Sequence, residues 1–267
     1  MKKAMMYLLL ALGITLGVVF VGGATAGFIA GFIDGFNENE VGTSSSITYM
    51  VGVGSVFVII LCAILQWVFL KLGFASYTTG RIPKSPKSVS WKLYVGMIMA
   101  MAGMAVFYHL MLDKDIERGF TREIVAESYS WMHQHLVFSI LMLIIIEATA
   151  NLVIYGAVLR ELLEWNWKHR PGLIIQIYAA IMAIFCLINS SASLMYPVYM
   201  IAQIEGMMYH YTRSILPIIV GDVTFWIVML CLVGIPAIAW WFLIVVLVAG
   251  AGVYLAFNAM EPYKPID

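Results

Sequence analysis

The chain has 267 residues, of which 63% are hydrophobic and only 11% charged, and its mean hydropathy is +0.94. A water-soluble domain of this length needs a polar shell that such a composition cannot supply, so a soluble fold is excluded. Lys+Arg and Asp+Glu balance at 15 each, which leaves no net field to attract nucleic acid.

In chain order, the first apolar run follows Lys2 and Lys3 and passes Ala24-Thr25-Ala26. It continues to Ile33, about twice the length of a signal-peptide core, and so reads as a retained helix. Apolar stretches of bilayer-spanning length cover 4–33, 47–74, 91–112, 135–163, 172–189, 193–209, 215–233 and 236–260. Transmembrane strands would be shorter and would alternate in polarity. The expectation is an all-α membrane bundle of about eight transmembrane helices, forming a single integral membrane domain over 1–267.

The loops set the expected orientation. With Lys2 and Lys3 inside, the same face receives Lys71, Arg81, Lys84, Lys87, Lys92, Arg160, Lys168, Arg170, Arg213 and Lys264. The opposite face carries Lys114, Arg118 and Arg122 among Asp34, Glu38, Glu40, Asp113, Asp115, Glu117, Glu123 and Glu127. This asymmetry follows the positive-inside rule and places both termini in the cytoplasm, as in a bacterial inner membrane. The basic Arg81–Ser90 loop, with Pro83 and Pro86, is suited to anionic headgroups.

Two composition features look architectural. Gly13, Gly17, Gly23, Gly27, Gly31 and Gly35 make a small-residue stripe that lets another helix approach closely. Met97, Met99, Met101 and Met104 read as adaptable packing. Cys62, Cys186 and Cys231 all sit in apolar runs and imply neither a disulfide framework nor a zinc site.

Ionisable groups inside a span are costly and usually serve a function. Glu147 and Asn151 are four residues apart and share a helix face. Asp222 lies nine residues beyond Arg213, roughly 14 Å at the helical rise, and Asn151 is equally deep counted back from Arg160. Matched depth predicts that Glu147, Asn151 and Asp222 meet in one polar cavity. The competing reading is that each carboxyl only ties helices together. Glu205, placed near the cytoplasmic end of its span, is expected to reach out toward the interface. His109, His133 and His135 fall near the outer ends of their spans, and His133-x-His135 lacks the further ligands of a zinc site.

Part of the C-terminal half, residues 135 to 230, resembles a known family. Leu152-Val153-Ile154-Tyr155-Gly156-Ala157-Val158-Leu159-Arg160 is similar to the segment after the paired glutamates of the CPBP (Abi) family, the CAAX-protease and bacteriocin-processing intramembrane proteases. Phe185-Cys186-Leu187-Ile188-Asn189 falls where that family has F-x-x-x-H. The run from Gly206 to Pro217, Gly-Met-Met-Tyr-His-Tyr-Thr-Arg-Ser-Ile-Leu-Pro, resembles its approach to a final H-x-x-x-N.

At the catalytic positions the chain departs from the pattern. Ala150 and Asn151 stand at the paired glutamates and Tyr155 at the arginine. Asn189 stands at the first histidine, Asp222 at the second and Trp226 at the final asparagine. The resemblance implies a scaffold built for a glutamate–histidine water-activating site, directly or through a divalent metal. Asn151 and Asn189 cannot act as bases, and Trp226 donates without accepting, so the family's metal ligands and its base are not retained.

The resulting expectation is a non-proteolytic homologue in a lipid bilayer. It would keep a cavity for hydrophobic or lipidated peptide and bind no nucleic acid. Two alternatives stand beside it: an active peptidase rebuilt on Glu147 and Asp222, and an ion-binding or transport bundle using the same carboxylates.

Overall fold

Inside a bilayer every backbone N–H and C=O must be satisfied within its own segment, so long apolar runs become helices. The computed structural model describes residues 44–71, 90–117, 123–164, 170–189, 192–238 and 240–260, together with Ala24 and Phe28. The first expected span with its glycine stripe, and the Arg81–Ser90 loop up to Ser90, lie outside the described residues.

All regular structure among the described residues is helical. The elements are α1 (Ser44–Lys71), α2 (Trp91–Glu117), α3 (Glu123–Gln134) and α4 (Leu136–Val153). A π-helical turn, Ile154–Leu159, joins α4 to the short α5 (Arg160–Glu164). Then come α6 (Pro171–Asn189), a 3-10 turn at Ala192–Leu194, α7 (Met195–Thr212) and α8 (Leu216–Leu232). A second π-helical stretch, Val245–Ala249, links α9 (Trp241–Ile244) to α10 (Gly250–Met260). Trp91–Lys114, Leu136–Gly156 and Trp241–Met260 are long and apolar enough to cross a membrane, and Gly52–Val68, Pro171–Ile184 and Leu216–Leu232 are shorter apolar helices. The protein is embedded in a membrane.

α2 is the pivot of the bundle: α8, α10 and the Val245–Ala249 stretch all pack on it. Its buried stripe, Leu93, Met97, Ala100, Met101, Met104 and Ala105, recurs every three or four residues and is essentially inaccessible. Three of the four methionines flagged in the sequence thus fill the core, as adaptable side chains do. α6 pairs with α7, α1 with α4, and α4 with α8.

The closest helix approach uses small residues. A Cβ built on Gly96 would fall 2.6 Å from the Ala256 nitrogen, one on Gly103 2.6 Å from that of Ala249, and one on Gly252 2.2 Å from that of Ala100. Helices α2 and α10 therefore meet backbone to backbone, the arrangement expected where lipid removes any hydrophobic drive and contact area decides association.

At the opposite end from Arg213, side chains satisfy the backbone around the end of α8. His133 Nδ1 is 2.6 Å from the Leu230 carbonyl, and His109 Nε2 is 2.9 Å from that of Ile235. A carbonyl can only accept, so each imidazole donates here. The Ala237 amide donates to Asp113 Oδ2 at 2.9 Å. These bonds serve carbonyls and amides that a helix end leaves without partners. His135 instead stacks on Trp131 at 4.4 Å.

Candidate functional site

Position 147, one helical turn, position 151, another turn, position 155: the sequence spacing lines Glu147, Asn151 and Tyr155 along one face of α4 and its π-helical extension. On α8, Asp222 and Trp226 are also one turn apart. The two helices run antiparallel in register. Trp226 Nε1 donates to Glu147 Oε1 at 2.7 Å, and one turn along α4 and one turn back along α8, Asn151 Nδ2 donates to Asp222 Oδ2 at 2.7 Å. Tyr129 of α3 stacks over Trp226, with ring centroids 6.3 Å apart.

One turn further this ladder would meet Ile218, which is fully buried and apolar. Tyr155 turns instead toward α7 and α6. Its hydroxyl donates to Glu205 Oε2 and accepts from the Tyr178 hydroxyl at 2.9 Å. Glu205 lies near enough to Asp222 for the two carboxyls to act on each other electrostatically. Tyr178–Tyr155–Glu205 and Asn151–Asp222 are two hydrogen-bonded groups side by side, and Glu147 lies near enough to Asp222 to act on it electrostatically. Asn151, Tyr155, Tyr178, Glu205 and Asp222 are buried, and Glu147 is half-buried.

The electrostatics follow from the donor inventory. Three carboxyls are gathered in an apolar interior, and the donors bonded to them, Asn151, Tyr155 and Trp226, are neutral. The hydrogen bonds of the site thus join carboxyls to neutral donors and not to cations. Among the described residues no group of three His, Cys, Asp or Glu side chains is arranged to hold a metal ion.

The structure thus brings together Glu147, Asn151, Asp222 and Trp226, and adds Tyr155. Ala150 is on the neighbouring face of α4 and offers no polar group. Asn189 ends α6, and its side chain lies outside the described residues; along that helix it is eleven residues, roughly 16 Å, from Tyr178. Glu205 corrects the sequence expectation: it does not reach the interface but is buried, 7% exposed, at the centre of the network. Helix α7 runs on to Thr212, which leaves Glu205 two turns inside its end. Tyr178 was not singled out in the sequence at all. Its signal was indirect, since clustered carboxyls in lipid need hydroxyl or amide donors from neighbouring helices. His133 and His135 have separate partners and make no common site.

No family model, no curated protein and no solved structure matches the chain.

Proposed function

We propose that the chain is a non-proteolytic homologue of the CPBP intramembrane proteases, with about eight crossings and its Arg160, Arg170 and Arg213 face toward the cytoplasm of a bacterial inner membrane. It binds a hydrophobic or lipidated peptide segment at the network between α4, α7 and α8. One observation carries this reading. Of the positions that correspond to the family's catalytic residues, Asn151, Tyr155, Asp222 and Trp226 converge on a single polar network, and each carries a side chain that holds hydrogen bonds in place of the expected chemistry. A peptide inside a bilayer carries unpaired backbone amides and carbonyls, and a membrane-buried set of donors and acceptors is what would satisfy them.

Binding of a fluorescent prenylated peptide to the purified protein in lipid nanodiscs tests this. Saturable binding, weakened about tenfold in Asp222→Ala and unchanged by Gly250→Ala on the far helix, is the expected result. Equal binding by all three proteins would refute a peptide site at the network.

A second reading, an ion-binding or transport bundle, rests on the buried carboxyls of Glu205 and Asp222, since ionisable groups inside a membrane usually serve an ion or proton path. It predicts thermal stabilisation by one cation over others, lost in Asp222→Asn. Stabilisation that is equal for all cations, or equal in the variant, would dismiss it.

A further inference from the structure

The buried side-chain atoms without a hydrogen-bond partner among the described residues fall together at one end of the bundle: His210 Nδ1, Arg213 Nη1 and Ser214 Oγ. His210 lies in the last turn of α7, Arg213 just past its end, and Ser214 before α8. Ser214 is 1% exposed, whereas His210 and Arg213 are half-buried.

The guanidinium carbon of Arg213 sits 5.8 Å from the centre of the Tyr209 ring and acts electrostatically on His210. Arg213 is also the only non-glycine residue described with a positive φ, 52°, where its amide donates to the Tyr209 carbonyl at 2.8 Å to end the helix. Glycine is the ordinary occupant of that place because it has no Cβ to crowd the turn. A long cationic side chain there carries a backbone cost, and its Nη1 has no hydrogen-bond partner to offset it.

The following helix, α8, has no side-chain cap on its first turn, and Pro217 supplies no N–H. A positive helix end, a guanidinium, a buried hydroxyl and an imidazole therefore lie close together in the chain at one short turn, and His210 Nδ1, Arg213 Nη1 and Ser214 Oγ have no hydrogen-bond partner there. Each is a group that binds anions, and a guanidinium matches tetrahedral oxyanions through paired N–H groups. The turn lies on the face where the sequence collects its Lys and Arg, and basic pockets between membrane helices on such a face hold phosphate headgroups.

We propose that the α7–α8 turn binds a phosphate group, with Arg213 as its charged anchor and Ser214 and His210 as hydrogen-bond partners. Within a membrane the abundant carrier of that group is a phospholipid headgroup.

The test is thermal unfolding of delipidated, detergent-solubilised full-length protein titrated with phosphatidylglycerol, with diacylglycerol of the same chains, or with inorganic phosphate. Arg213→Gly is the informative variant, because glycine suits the left-handed turn and should melt at or above the wild type without lipid. Arg213→Gln serves as the second variant, keeping the bulk of the side chain without its charge.

Phosphatidylglycerol is expected to stabilise the wild type beyond diacylglycerol, with the midpoint of titration shifted at least tenfold in both Arg213 variants and severalfold in Ser214→Ala. Arg213-dependent stabilisation by phosphatidylglycerol alone assigns the site to a headgroup. The same effect from inorganic phosphate assigns it to the free ion, and either result supports phosphate recognition. The proposal is overturned if neither phosphate probe stabilises the wild type beyond diacylglycerol. It is equally overturned if both Arg213 variants titrate like the wild type.

Discussion

Asp222 accepts from Asn151 on one side and faces the Glu205 carboxyl on the other, so its place in the network suits an acceptor and a donor better than a charge. Asparagine offers both. Asp222→Asn is expected to melt within about 0.5 kcal/mol of the wild type in detergent. Asp222→Ala strands Asn151 and costs about 1–3 kcal/mol. Equal losses in the two variants would show that the charge, and not the hydrogen bonding, holds the site together.

The same reasoning ranks the tyrosines. The Tyr155 hydroxyl both donates to Glu205 and accepts from Tyr178, whereas the Tyr178 hydroxyl donates once, to Tyr155. Tyr155→Phe should therefore destabilise more than Tyr178→Phe, by about 1 kcal/mol, with thermal unfolding as the check. The reverse order would contradict the direction of this relay.

At this scale the sequence was partly legible. Four-residue spacing gave the shared face of Glu147 and Asn151, and equal distance from Arg160 and Arg213 gave the meeting of Asn151 with Asp222. Glu205 was misplaced because hydropathy ended its span at Tyr209, while the helix continues to Thr212 through residues too polar for a hydropathy count.

Among the elements, the contact of α2 with α10 depends on residues with no room for a side chain. Gly252→Ala would put a methyl about 2.2 Å from the Ala100 nitrogen and should cost about 1–3 kcal/mol by forcing the helices apart. Gly250→Ala meets nothing within 4 Å and, by helix propensity, should be neutral or stabilising by up to about 1 kcal/mol. Thermal melts of the two variants side by side test the contact, and matching values would argue against it.

The small residues that make this seam, Gly96, Ala100 and Gly103 facing Ala249, Gly252 and Ala256, were readable as a spacing. They were overshadowed by the longer glycine stripe between Gly13 and Gly35. The π-helical turns at Ile154–Leu159 and Val245–Ala249 had no such signal, because an extra residue in one turn follows from tertiary packing and not from local propensity. The first of them carries Tyr155 out of register with α8 and toward Glu205, and so decides the shape of the site.

For the whole molecule, composition alone required a membrane and helices; the regular structure of the described residues is all helical, and three helices are long and apolar enough to cross a bilayer. The apolar stretches that the sequence divided at His135, Gly172 and Ser193 correspond to helices α4, α6 and α7 within a few residues. Hydropathy works here because backbone satisfaction in lipid forces each apolar run into one helix. It could not tell which helices face each other, since lipid-facing and bundle-facing residues are equally apolar. The polar residues alone carried that information, and they correctly paired α4 with α8.

The central claim is that this network recognises and does not cleave. Purified, folded protein incubated with a mixed library of hydrophobic and prenylated peptides, with products resolved by mass spectrometry, measures it directly. The account predicts no new termini from the wild type, from Glu147→Gln or from Asp222→Asn. Cleavage by the wild type that disappears in either variant would contradict it and would make Glu147 and Asp222 the carboxylates of a working peptidase.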